Sequence, residues 1–128
     1  MPRLLLVIFI ISALITCSKK AMVYSEVELM AMAQKEDPGI KLILPKTIND
    51  GINCKNYPPG CLSGKTAELK KITVVVVQFD SEENAARAAK IINQYYARNW
   101  VFDDVTGEPV LEHFVKKVFD AKNPNNSN

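Results

Sequence analysis

Residues 71–93 read KITVVVVQFDSEENAARAAKIIN, and this stretch sets the architecture. Residues 71–79 contain four valines in a row. Apolar β-branched side chains on both sides of the pleat predict a strand buried on both faces, hence central in its sheet. Asp80 and Ser81 each offer an oxygen to cap a following helix, and Glu82 and Glu83 stand near its positive end. Ala85, Ala88, Ala89, Ile92 and Tyr96 then recur at helical spacing, small first and larger later, so the helix can lie close against a sheet.

Upstream, Ser25-Glu26-Val27-Glu28 fits a capping box and opens a helix that Asp37-Pro38-Gly39 ends. Residues 40–44, IKLIL, form a strand with lysine on one face, stopped by Pro45. Residues 46–68 read as a long irregular segment. Downstream, residues 99–105 form a short strand, Thr106-Gly107 turns the chain, and Pro109 sits in the first turn of a last helix with the stripe Leu111, Phe114, Val115 and Val118. The fold class is α+β. The order predicts a small ferredoxin-like sandwich with helices on one face of an antiparallel sheet, a stapled loop and an extra C-terminal helix. Its first strand has only residues 21–24 to draw on. Residues 25–121 are read as a single domain, and 122–128, ending NPNNSN, as a disordered tail.

The chain opens MPRLLLVIFIISALITCSKK. Its apolar run spans about a dozen residues, short of the roughly 20 that cross a bilayer as a helix, and has the shape of an export signal. Leu14-Ile15-Thr16-Cys17 resembles the lipobox of bacterial lipoproteins. That resemblance implies a signal peptide over residues 1–16, lipidation of Cys17 by palmitate-type acyl chains, and a tether or short first strand over 17–24. With Ser18 after the cysteine, it further implies a lipid anchor in the outer membrane of the cell envelope, facing the periplasm.

Three cysteines are present. Lipidating Cys17 leaves Cys54 and Cys61, an even pair in an oxidising compartment, and a disulfide between them is expected. The loop they would close contains Pro59-Gly60, suited to the centre of a type II turn. Zinc is the rival, but C-x-x-C spacing is absent and His113 is the only histidine. Residues 57–66, YPPGCLSGKT, end like a nucleotide-binding P-loop. Pro59, however, stands where the first glycine is needed and has no N–H for a phosphate, so no nucleotide is expected.

Residues 74–93 also resemble the third strand and second helix of an RNA-recognition motif. In that family strand aromatics stack on bases; here valines occupy those positions, and the charge balance of 16 Lys and Arg against 14 Asp and Glu is nearly even. A nucleic-acid partner is not expected. Two candidate sites remain. Asp103, Asp104 and Glu108, with Glu112 and His113 nearby, could bind a ligand or act as acid and base, or simply solvate a helix start. Tyr95, Tyr96, Trp100 and Phe102 serve either as core or as an interaction surface. No catalytic set, metal set or cofactor motif stands out. The leading expectation is a non-enzymatic, membrane-anchored protein-interaction or structural envelope module. The alternative is an exported small-ligand binder or enzyme using the acidic turn.

Overall fold

The computed structural model describes residues 23–126; the expected signal segment, Cys17 and half of the expected first strand lie outside them. Helix α1 (Glu26–Glu36) starts as the sequence predicts. The Ser25 hydroxyl accepts from the Glu28 amide, and Glu28 accepts from the Ser25 amide at 2.7 Å. Donation from the Ser25 amide, and then from the Ser25 hydroxyl, to the Glu28 carboxyl holds it below its ordinary value. Strand β1 (Lys41–Ile43) follows. Two short 3-10 turns at Ile48–Asp50 and Cys54–Asn56 then lead through the stapled loop. The Cys54–Cys61 disulfide is formed, with Cα atoms 5.5 Å apart. Within it Gly60 takes φ 99°, the left-handed value that a type II turn demands after Pro59.

Strand β2 (Cys61–Leu69) occupies part of the segment expected to be irregular. It pairs antiparallel with both β1 and β3 (Ile72–Phe79), with Leu69 opposite Ile72. The β2–β3 turn is made by Lys70 and Lys71, both left-handed at φ 48° and 67°. A two-residue hairpin turn of this kind normally carries Asn-Gly, and its absence hid the hairpin.

Helix α2 (Glu82–Ile92) is capped by Ser81, not Asp80, through a bond from the Asn84 amide. It ends at Asn93, which is left-handed at φ 56°. Tyr96, expected in the helical stripe, instead belongs to strand β4 (Tyr95–Ala97), which forms a hairpin with β5 (Trp100–Asp103). Helix α3 (Pro109–Phe119) starts on its proline.

The sheet is antiparallel throughout its named pairs, in the order β1-β2-β3-β5-β4, with β3 central as expected. Its two faces carry separate cores. Val74, Val76 and Phe102 pack with Leu29 and Ala33 of α1 and Leu111, Phe114 and Val115 of α3. Val77, Phe79 and Val101 pack with Ala85, Ala88 and Ala89 of α2, beside Ile52, which precedes the stapled loop, and Tyr57 within it. The helices therefore lie on both faces, which corrects the expected one-faced, ferredoxin-like sandwich. Alternation along β3 is the reason: with valines pointing both ways, each face needs its own cover. Val23 and Tyr24 form no strand.

The expected disordered tail is also corrected over its described part. Lys122 exchanges two 2.9 Å backbone bonds with Tyr96. Asn123 is buried and donates to Asn93, while Asn125 donates to the carbonyl of Lys90. Asparagine carries donors and an acceptor together, so an Asn-rich segment can satisfy the end of α2 where composition alone suggests solvent.

Candidate functional site

The aromatic patch is interior. Tyr95, Trp100 and Phe102 are 1–2% exposed and face α1 and α3. Tyr96 is half-buried on the opposite face, against the α2 core. The four rings, read from the sequence as one patch serving either as core or as an interaction surface, are split because successive residues of the β4–β5 hairpin point to opposite sides. The Trp100 indole donates to the carbonyl of Tyr24 at 2.9 Å, and Asn99, itself buried, accepts from the Tyr24 amide at 2.7 Å. With the Arg98 guanidinium 4.1 Å over the Tyr24 ring, these contacts clamp the chain where it enters the domain.

The acidic turn is divided among structural tasks. Asp103 accepts from the Tyr57 hydroxyl at 2.7 Å and from the Asp104 amide at 2.8 Å. Burial, and then the bond to Asp103 and its charge, push the Tyr57 phenol far above its ordinary value. Asp104 is exposed in a left-handed turn at φ 59°. Glu108 precedes α3 without making a side-chain cap bond, and Glu112 accepts from the Gly107 amide. His113 is exposed. Among the described residues, no three His, Cys, Asp or Glu side chains gather as a metal-binding group. The Gly64-Lys65-Thr66 triplet lies inside β2, with its backbone registered against β3, and the Lys65 ammonium pairs with Glu26 of α1.

The site that sequence reasoning missed is at the β1 edge. A groove of about 550 Å³ runs between the β1–β2 pair and the loop after β1, lined by Leu42, Ile43, Leu44, Pro45, Ile52 and Gly64, with Lys46 and Asp50 at its rim. Asp50 holds the loop's shape by accepting from the Thr47 amide at 3.0 Å. Ile52 presses the loop onto β2, and only glycine at 64 leaves it room. Leu44 in the groove is 80% exposed, and Ile48 and Leu62, 96% and 60% exposed, line an adjoining hollow that shares Gly51, Ile52 and Gly64 with it. The apolar run at 40–44 was legible as a strand. Nothing local revealed that it would become an edge, wet on its outer side.

The two edges of the sheet differ. The β4 edge is covered where Tyr96 pairs with Lys122, whereas among the described residues β1 has a partner on one side only. An unpaired edge presents backbone donors and acceptors ready to take another strand. Also among the described residues, no helix is long and apolar enough to cross a membrane. Comparison of the chain with protein-family models, curated proteins and solved structures finds no match in any of the three.

Proposed function

We propose that the chain is a non-enzymatic lipoprotein of the bacterial envelope, held by acyl groups on Cys17 in the outer membrane and facing the periplasm, whose domain makes protein contacts through the β1 edge. The observation that carries the contact surface is the exposure of Leu44 and Ile43 in an apolar groove beside a strand that, among the described residues, is paired on one side only. Scattered apolar residues on a surface are ordinary, but exposed apolar residues lining a groove along a strand edge suit a binding site. Strand addition suits it: backbone bonds along β1 give affinity, and the groove receives a side chain.

The anchor rests on the lipobox resemblance at 14–17. The clamp on Tyr24 adds to it, because Tyr24 follows Cys17 by only seven positions, at most about 25 Å of extended chain. A domain so tethered stays against its membrane, and its partner must meet it there. The acidic turn gives less support to a ligand-binding or enzymatic role, since Asp103 is already engaged by Tyr57.

Two measurements test the reading. Cys17→Ala should abolish palmitate labelling and leave unprocessed precursor; labelling that persists refutes the anchor. A photo-crosslinking residue at Leu44 should give discrete protein adducts in intact envelopes, and one at Ile91, exposed on α2, should not. Equal labelling from both positions, or none from Leu44, refutes the edge as the contact surface.

A further inference from the structure

We propose that the strand received at the β1 edge is β1 of a second copy of this chain, the two copies joining antiparallel about a two-fold axis so that their sheets run on as one. The proposal rests on the edge reading above and names its occupant.

The first argument is closure. An open strand at each side of a sheet invites unlimited addition, but here the β4 side is covered by Lys122, which exchanges two 2.9 Å bonds with Tyr96. With only β1 left to pair among the described residues, association by this route stops at two copies.

The second argument is register. A two-fold axis through Ile43 sets Ile43 against Ile43 of the second copy and Leu42 against its Leu44, twice over. Every apolar residue of the segment 42–44 then meets another, and Leu44 and Ile43, 80% and 43% exposed in the single chain, are covered. An axis one residue earlier, through Leu42, would set Ile43 against Lys41, so the pattern selects one register. Pro45 ends the pairing on each side, since it has no N–H to continue a ladder. Lys41 stands opposite Pro45 of the second copy at each end, so the register sets no like charges against each other, and Glu68 lies 3.7 Å from Lys41.

Position 43 facing itself gives a sharp test. Two differently tagged forms of the full-length chain, mixed in mild detergent, should co-purify. Ile43→Glu alone and Ile43→Lys alone should each weaken that self-association by about tenfold or more, because two like charges meet at the axis. Mixing the Glu form with the Lys form should restore it. Leu44→Asp, at a site too exposed to endanger folding, should also weaken it, whereas Ile91→Glu on α2 should not. Absence of wild-type self-association, variants that pair as well as wild type, or failure of the Glu and Lys forms to pair with each other would each overturn the dimer. If wild-type copies do not co-purify while Leu44 still crosslinks to a different protein in envelopes, the dimer fails and the edge reading stands. If Leu44 gives no adduct either, both fail.

Discussion

The indole nitrogen of Trp100 donates to the carbonyl oxygen of Tyr24 at 2.9 Å, joining two residues 76 apart in the chain. Trp100 is 1% exposed, so the bond fixes the chain at Tyr24 to the deepest part of the larger core. Trp100→Phe keeps most of the ring volume but leaves that carbonyl without its donor. A loss of about 1–3 kcal/mol in urea unfolding is expected. A loss no larger than that of an exposed substitution would mean that the clamp contributes nothing to stability.

Gly64 is required by Ile52. A methyl group added at Gly64 would collide with the Ile52 side chain, and the loop that walls the groove would have to lift. Gly64→Ala should cost about 1–3 kcal/mol, the usual range for overpacking. Ile52→Ala in the same chain should recover part of that cost. Additive losses in the double variant would show that the two residues do not meet as described.

The β2–β3 turn can be improved. Lys70 and Lys71 both carry positive φ, a conformation that side-chain-bearing residues other than Asn and Asp adopt at a cost. Replacing the pair by Asn-Gly should raise stability by about 0.5–1 kcal/mol, read as a higher urea midpoint at unchanged slope. An unchanged or lower midpoint would indicate that the lysines are not strained there.

Tyr57 makes the protein's stability sensitive to alkali. Burial and the bond to Asp103 raise its pKa in the folded chain above the ordinary value of 10.0. The folded state therefore holds the phenolic proton more tightly than the unfolded state. The resulting stabilisation is fully present below pH 10 and is lost progressively as pH rises above it, because only the unfolded chain ionises there. Compared by urea unfolding at pH 8 and pH 11, the advantage of wild type over Tyr57→Phe should narrow at the higher pH, all other ionisations being common to both. A constant or widening difference would show that the phenol is not held protonated by the fold.

Lys65 is a strand residue paired with Glu26, both partly exposed. Lys65→Ala should change stability by roughly 0.5 kcal/mol, as partly exposed ion pairs do. Micromolar ATP binding by the wild-type domain, lost in that variant, would show that the triplet at 64–66 has a role its strand geometry does not suggest.

The capping box of α1, the valine strand β3, the Ser81 start of α2, the proline start of α3 and the turn inside the Cys54–Cys61 staple were all legible, because each is made by residues within a few positions of one another. Elements whose cause is distant were not. Strand β2 has a polar middle and a turn without Asn or Gly, and it is extended because β1 and β3 flank it. Strand β4 exists because Asn93 ends α2 early and β5 supplies the partner. The distribution of helices over both faces, the split of the four aromatic rings between those faces, the docking of the Asn-rich tail and the exposure of Leu44 beside an edge left open among the described residues follow from how the strands order themselves. Local sequence carries the energetics of caps, turns and strand propensity. Which face is covered, and which edge is left unpaired, is decided only when elements far apart in the chain compete for the same apolar surface.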